Sequence, residues 1–195
     1  MLVIGLTGSI GMGKTTTAAM FAARGIPVHG ADAAVHKLYR GDAVAPLEAA
    51  FPGVAADGVV DRARLAERVV GDADALARLE AIVHPLVRES EREFLRDRRA
   101  EGYRLVVVDV PLLFEVGAAD RVDVIVVVTA TPEIQRARVL ARPGMTEVRF
   151  NSLLARQIPD VEKRRRAHFL VDSGHGFDTA ARQVDSILRA LASTL

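Results

Sequence analysis

The chain has 195 residues, half of them hydrophobic, and a net charge of +1 at neutral pH. This length suits one α/β domain with a smaller inserted piece. The near balance of acids and bases argues against a nucleic-acid-binding surface. No cysteine is present, which excludes disulfides and cysteine-based metal sites. Without a bilayer-length apolar run or a secretion-type N-terminus, the sequence predicts a cytoplasmic protein with no membrane partner.

The first predicted elements are a strand at Leu2–Leu6, a glycine-rich loop and a helix from Lys14 to Arg24. The loop, residues 8–15, reads Gly-Ser-Ile-Gly-Met-Gly-Lys-Thr and matches the phosphate-binding pattern G-x-x-x-x-G-K-[ST]. A strand that turns through glycines into a helix N-terminus directs backbone N–H groups at one point, which favours phosphate. Lys14 can then reach the terminal phosphates of a nucleotide, and the Thr15 hydroxyl can bind Mg²⁺. An incidental lysine in a glycine-rich turn is the weaker interpretation.

Further apolar runs predict buried strands along the rest of the chain. Near-continuous runs of Val, Ile and Leu are typical of parallel strands covered on both faces. Alternation with helices predicts a doubly wound α/β sheet of about five strands, whose ligands bind beyond the carboxyl ends of the strands. The predicted strands are Ile26–Val28, Leu105–Val108, Val122–Val128 and Phe169–Val171, and the last helix is predicted from the apolar stripe of Val184, Ile187, Leu188, Leu191 and Leu195.

The interval 33–102 interrupts this alternation, because it contains several helical patterns and no convincing strand. Such a stretch between two core strands predicts a helical insertion that covers the edge of the active site. The helical patterns are Ala43–Phe51, Arg62–Val70, Asp72–Val83 and Leu86–Arg99.

Two carboxylates follow predicted strands. Asp32 could orient or deprotonate an acceptor hydroxyl, or hold Mg²⁺ through water. It could equally be the N-cap of a helix over Ala33–Tyr39. Asp109 could be the second metal-associated acid of phosphate-loop proteins, or a turn residue before Pro111. The pattern leaves both pairs of interpretations open.

Arg138 and Arg142 are spaced one helical turn apart, on a helix predicted after Pro132. A Pro143-Gly144 break and a second short helix from Thr146 follow. This pattern is typical of a lid, predicted at residues 141–158, that closes arginines over a transferring phosphate. A solvated helix face is the alternative.

Three other features carry a weaker signal. His84 precedes the predicted helix that contains Arg88, where it could contact a substrate or be a buried or capping histidine. The basic runs Arg96–Arg99 and Lys163–Arg166 are most simply exposed faces, since acids lie nearby.

With these segments in order, the chain resembles the dephospho-coenzyme A kinase family nearly end to end. The phosphate loop alone indicates only a superfamily, whereas the His-Pro and Pro-Leu-Leu-Phe-Glu segments are much more specific. The resemblance rests on the phosphate loop, Gly25-Ile26-Pro27-Val28 with Ala31-Asp32-Ala33, Asp57-Gly58 with Asp61-Arg62, His84-Pro85-Leu86-Val87-Arg88, Val110-Pro111-Leu112-Leu113-Phe114-Glu115, and Arg138–Arg142 with Gln157.

The resemblance implies a P-loop NTPase-type kinase with a helical acceptor-binding insertion and a lid. Such a kinase uses ATP and Mg²⁺ to phosphorylate the 3′-hydroxyl of dephospho-coenzyme A, the last step of coenzyme A synthesis. Its partners are small-molecule substrates, and it would be a monomer or a weak homo-oligomer.

The resemblance also implies roles by position. Lys14, Asp32, Arg138 and Arg142 would be catalytic, and Thr15 and Asp32 (through water) would serve Mg²⁺. The ATP-binding residues would be Gly8, Gly11, Met12, Gly13, Lys14, Thr15, Thr16 and Gly174. The acceptor-binding residues would be Asp32, His84, Arg88, Leu112, Leu113 and Phe114.

Two positions depart from the family pattern. Gly30 replaces the first acid of an Asp-Ala-Asp segment, which predicts slower turnover or weaker Mg²⁺ binding. His168 also replaces a common acid.

Three other classes of protein would share part of this pattern. Another small-molecule kinase would share the phosphate loop and lid arginines but not the His-Pro-Leu-Val-Arg segment. A regulatory GTPase would need an Asn-Lys-x-Asp motif, but the single asparagine, Asn151, is followed by Ser152 and Leu153. A nucleic-acid-dependent ATPase would need a larger basic excess.

Overall fold

The computed structural model describes residues 1–192 as nine α-helices, seven strands and a short 3₁₀ turn at Ala119–Arg121. The strands are β1 (Leu2–Thr7), β2 (Val28–Gly30), β3 (Ala55–Ala56), β4 (Val59–Val60), β5 (Leu105–Asp109), β6 (Val124–Thr129) and β7 (Phe169–Asp172). The helices are α1 (Lys14–Ala22), α2 (Ala31–Leu38), α3 (Val44–Ala50), α4 (Arg62–Val69), α5 (Ala73–Ala100), α6 (Pro132–Leu140), α7 (Glu147–Leu154), α8 (Asp160–Arg165) and α9 (Phe177–Ala192).

The main sheet has five strands in the order β2-β5-β1-β6-β7. β1 pairs in parallel with β5 and β6, and β6 pairs in parallel with β7. This confirms the predicted α/β fold. The second strand begins at Val28, later than predicted. The Ile26 N–H donates to the Phe21 carbonyl after α1, and Pro27 has no N–H, so Pro27 pairs with β5 only through its carbonyl, which accepts from the Val107 N–H.

The sheet is covered on both faces, as its apolar strands require. One core cluster joins Ile4, Val107 and Val126 to Phe21 of α1 and to α9. α9 buries the predicted Val184, Ile187 and Leu191, whereas Leu195 of that stripe lies outside the described residues. Within residues 1–192, no helix is long and apolar enough to cross a membrane.

The chain divides into two compact units: a second unit, His29–Asp97, and a first unit that contains the remaining described residues. The predicted insertion, 33–102, overlaps most of the second unit. Its core packs Leu47, Phe51, Val54 and Leu65 against partly buried side chains of α5.

Two predictions within this interval are wrong. β3 and β4 form a small antiparallel hairpin where no strand is predicted. Its turn is Asp57-Gly58, and both residues have positive φ (51° and 75°), as a tight hairpin turn requires. The strands were missed because each has only two residues.

The two helices predicted on either side of His84-Pro85 are one helix, α5, with Pro85 inside it. An internal proline removes one helical hydrogen bond. Here Pro85 is exposed, and so is Ala81, the residue whose carbonyl loses this helical partner. Apolar neighbours such as Val83 and Leu86 pack into the core of the second unit and keep the helix continuous.

Candidate active site

The phosphate loop joins β1 to α1 in a geometry that requires glycine. Gly13 is the N-cap of α1 with φ of 89°, in the left-handed region. A Cβ on Gly8 would lie 2.6 Å from the Val128 carbonyl oxygen. The first turn of α1 has no side-chain cap and no acidic residue. Its backbone N–H groups therefore remain available to an anion.

Lys14 forms an ion pair with Asp109 at the end of this loop. Its Nζ lies 2.5 Å from Asp109 Oδ1, and both side chains are nearly buried. Asp109 is the last residue of β5 and is paired with Leu6, so it is a strand residue and the turn interpretation is wrong. Thr15 and Thr16 follow Lys14 and are exposed.

Arg138 of α6 is bonded into the loop after β7. Its guanidinium donates to Ser173 Oγ and to the Ser173 carbonyl, each at 2.8 Å. Ser173 Oγ in turn donates to the Met12 carbonyl at 2.7 Å. Gly174 is the next residue, and its N–H donates to Asp172 Oδ1. Arg138, the phosphate loop and the loop that contains the predicted ATP-binding residue Gly174 are thus brought together through Ser173.

The backbone of Ile10, within the phosphate loop, is held from two sides by glutamines. Its N–H donates to Gln157 Oε1 at 3.1 Å, and its carbonyl accepts from Gln135 Nε2 at 2.8 Å. Gln135 is buried on α6, and Gln157 follows α7. Sequence reasoning placed Gln157 in the lid region and missed Gln135. Helical spacing to Arg138 was the only available signal for Gln135.

Glu115 and Lys163 form a largely buried ion pair, and Glu115 also accepts from the Ile158 N–H, next to Gln157. Lys163 Nζ lies 2.8 Å from Glu115 Oε1, and the lysine side chain is fully buried. The prediction of an exposed run at Lys163–Arg166 is therefore wrong for Lys163, although the three arginines are exposed. Burial raises the pKa of Glu115, but Lys163 and the Ile158 N–H lower it more, and the net pKa lies below its ordinary value.

Arg142 lies outside the helix that was predicted to carry it. α6 ends at Leu140, and the Arg142 N–H donates to the Val139 carbonyl in the turn that follows. Arg142 is exposed. The predicted lid, 141–158, consists of this turn, α7 and the segment that carries Gln157.

The predicted acceptor residues are found in both units. Leu113 is fully buried in a core cluster with Ile125 and Val127, Leu112 is exposed, and Phe114 lies under the Arg166 guanidinium. Their role toward an acceptor stays a prediction.

Asp32 lies in the second unit, in the first turn of α2, and is exposed. The N-cap of α2 is Gly30, so the N-cap interpretation of Asp32 is wrong. A Cβ on Gly30 would meet only Ala33 Cβ, at 3.8 Å, so the missing acid would find room there.

His84 and Arg88 are exposed on α5, one helical turn apart. His84 is therefore neither buried nor a helix cap, and the interpretation of it as a buried or capping histidine is wrong.

The dephospho-CoA kinase family profile matches residues 2–178. A protein described as dephospho-CoA kinase, from Rhodopseudomonas palustris strain HaA2, is 58% identical over 192 residues, covering 98% of this chain and 96% of that protein. The chain belongs to the dephospho-CoA kinase family. This confirms the resemblance drawn from the motifs.

Solved structures agree with the fold. A crystal structure from Thermus thermophilus has a TM-score of 0.82 and 34% identity, covering 100% of this chain and 97% of that one. A dephospho-CoA kinase from Campylobacter jejuni has a TM-score of 0.70 and 21% identity, covering 97% and 96%. At that identity the second match supports the fold alone.

Proposed function

We propose that this chain transfers the terminal phosphoryl group of ATP to the 3′-hydroxyl of dephospho-coenzyme A, giving coenzyme A and ADP. The observation that carries the proposal is the phosphate loop with its side chains, in a chain of the dephospho-CoA kinase family. The open N-terminus of α1, Lys14 and the Arg138 guanidinium converge there. Concentrated positive charge at this point suits a polyphosphate.

On the nucleotide side, the phosphates bind to backbone N–H groups between Gly8 and Thr16 that have no partner within the loop, whereas the Ile10 N–H stays bonded to Gln157. Lys14 exchanges its contact with Asp109 for the terminal phosphates and neutralises their charge. Arg138 and Arg142 stabilise the negative charge on the transferring group. The loop that contains Gly174 lies near the adenine.

Mg²⁺ fits the available groups. Among residues 1–192, no three His, Cys, Asp or Glu side chains are grouped as a metal cage. Mg²⁺ commonly binds through one or two protein groups, substrate phosphates and water. The Thr15 hydroxyl would hold it directly and Asp32 through water. Bound there, it would neutralise charge on the β- and γ-phosphates.

On the acceptor side, Asp32 accepts the proton of the 3′-hydroxyl. The new bond joins the 3′-oxygen to the γ-phosphorus, and the bond from that phosphorus to the bridging oxygen of ADP breaks. The proton passes from Asp32 to solvent. His84, Arg88, Leu112 and Phe114 would contact the rest of the acceptor, whereas the Leu113 side chain is buried and would only support this segment.

The first test is ADP release by the purified protein with ATP and Mg²⁺, with and without dephospho-coenzyme A. Adenosine, AMP and shikimate serve as control acceptors. Release that depends on dephospho-coenzyme A, with a product of coenzyme A mass, is expected. ATP binding without this stimulation would overturn the proposed acceptor. We also expect a cytoplasmic protein that elutes as a monomer or a weak homo-oligomer.

A further inference from the structure

The second unit contains an open cavity of about 470 Å³ between α2, α4 and α5. From α2 it is lined by Asp32, Val35 and Tyr39, whose spacing places them on one face of the helix. The face of α4 that begins with Arg62 forms the opposite wall, and Leu79 of α5 contributes a further apolar side chain. The lining is mostly apolar, with one acid and one base.

Arg62 is held in place without a carboxylate partner. Its guanidinium carbon lies 5.5 Å from the centre of the Tyr39 ring, a cation–π distance. The neighbouring Asp61 caps α4 by accepting from the Ala63 and Arg64 N–H groups, and it pairs with the Arg64 side chain. Within the described chain, no ion pair involves Arg62. Its charge is therefore available to a ligand.

The two charges are spaced along α2. Asp32 and Tyr39 are seven residues apart, or about 10 Å along the helix axis. Asp32, Tyr39 and Arg62 line the same cavity, so an acceptor whose 3′-hydroxyl contacts Asp32 has room to extend its 5′ side toward Tyr39. The diphosphate of dephospho-coenzyme A is attached to that 5′ carbon. One nucleoside diphosphate unit can therefore reach both Asp32 and Arg62.

We propose that Arg62, positioned on the Tyr39 ring, binds the diphosphate of the acceptor and makes the second unit selective for dephospho-coenzyme A over uncharged nucleosides. This inference rests on the proposed function, because it takes the acceptor and the place of its hydroxyl from it. Guanidinium forms charge-assisted, bidentate hydrogen bonds with phosphate oxygens. The alternative is that Arg62 only shields the Tyr39 ring from water.

The test compares three variants of the full chain. Arg62→Met keeps an aliphatic side chain over Tyr39 and removes the charge, while Arg62→Lys keeps the charge and removes the bidentate fork. Arg64→Met is the matched control, because Arg64 is an exposed arginine two residues away on the same helix. Steady-state kinetics with dephospho-coenzyme A are combined with calorimetric binding of dephospho-coenzyme A and of adenosine, and with melting curves.

We expect Arg62→Met to raise the KM and the Kd for dephospho-coenzyme A about ten- to a hundredfold. The turnover at saturation, the KM for ATP and the affinity for adenosine should stay within twofold. Arg62→Lys should recover part of the loss, and Arg64→Met should match the unmodified chain. An Arg62→Met variant that binds dephospho-coenzyme A as tightly as the unmodified chain would overturn the inference. Equal losses for adenosine and dephospho-coenzyme A would overturn it too.

The two failures can be told apart. If the unmodified chain does not phosphorylate dephospho-coenzyme A, the proposed function fails. If it does, and Arg62→Met leaves the KM unchanged, only the assignment of Arg62 fails.

Discussion

In the first unit, the candidate functional side chains take part in hydrogen bonds and ion pairs. In the second unit, the candidate charged side chains line an open cavity and have fewer hydrogen-bond and ion-pair partners. In the first unit Lys14 contacts Asp109, Arg138 contacts Ser173, and two glutamines hold Ile10. In the second, Asp32 and Arg62 are both exposed. We infer that a hydrogen-bond network organises the nucleotide side, whereas helix packing shapes the acceptor side. Substitutions should therefore disturb several groups in the first unit and act locally in the second.

Lys14→Ala should have the largest effect. It removes the side chain that we propose neutralises the phosphates, and we expect turnover to fall about a thousandfold. Initial rates at saturating substrates check this. Lys37→Ala, an exposed lysine on α2, is the control and should retain full activity. A Lys14→Ala variant with more than a tenth of normal turnover would place phosphate neutralisation elsewhere.

Asp32→Asn tests the open cavity of the second unit. Loss of the proposed general base should lower turnover about a hundredfold, while the KM for ATP stays unchanged. Asp42→Asn, another exposed acid of the second unit, should be silent. Unchanged turnover in Asp32→Asn would leave Asp32 only as a first-turn acid that favours the dipole of α2.

The two glutamines that contact Ile10 allow a matched pair of substitutions in the hydrogen-bond network of the first unit. Gln135 donates to the Ile10 carbonyl, and glutamate cannot. Gln157 accepts from the Ile10 N–H, which glutamate still can. Gln135→Glu should cost about 1 kcal/mol of stability and raise the KM for ATP, because it leaves a partly buried acceptor unpaired.

Gln157→Glu should cost clearly less stability, as judged by chemical denaturation of both variants. Equal losses would show that Ile10 is not held by these two oriented amides.

The smallest effect concerns His29, a buried titratable group of the second unit. Burial lowers the pKa of His29, whose Nε2 lies 3.2 Å from Ser90 Oγ. The unfolded chain therefore takes up the proton first, and stability falls as the pH drops below the unfolded value of about 6.5. His29→Gln should lose this dependence between pH 7.5 and pH 5, whereas exposed His36→Gln should keep it. If the free energy of unfolding changes with pH in the same way for the unmodified chain and for His29→Gln, this assignment to His29 is wrong.

Predictions from the sequence held where the signal is local. The first strand and the helix from Lys14 follow from a few consecutive residues, because glycines, a cationic side chain and apolar neighbours there all favour one geometry. Predictions failed where tertiary packing decides. α5 continues through Pro85 because flanking apolar residues are buried, and the buried state of Lys163 depends on Glu115, 48 residues earlier in the chain.

In the candidate site too, residues in local motifs were predicted and residues that depend on tertiary contacts were not. Motif position indicated Asp32, Lys14 and Arg138, whose catalytic roles stay predictions. Gln135 was missed, because its partner Ile10 lies 125 residues away and the helical spacing of Gln135 to Arg138 does not indicate that contact. The cavity of the second unit was equally invisible, since it depends on faces of three helices that only packing brings together.

The position of Tyr39 in that cavity gives the protein a built-in optical reporter. The chain has no tryptophan and only two tyrosines. One is Tyr39 and the other is Tyr103 in the first unit, near Arg98. Intrinsic fluorescence therefore comes from one emitter in each unit. A Tyr103→Phe variant would emit from Tyr39 alone, so that titration with an acceptor could be followed without an attached dye.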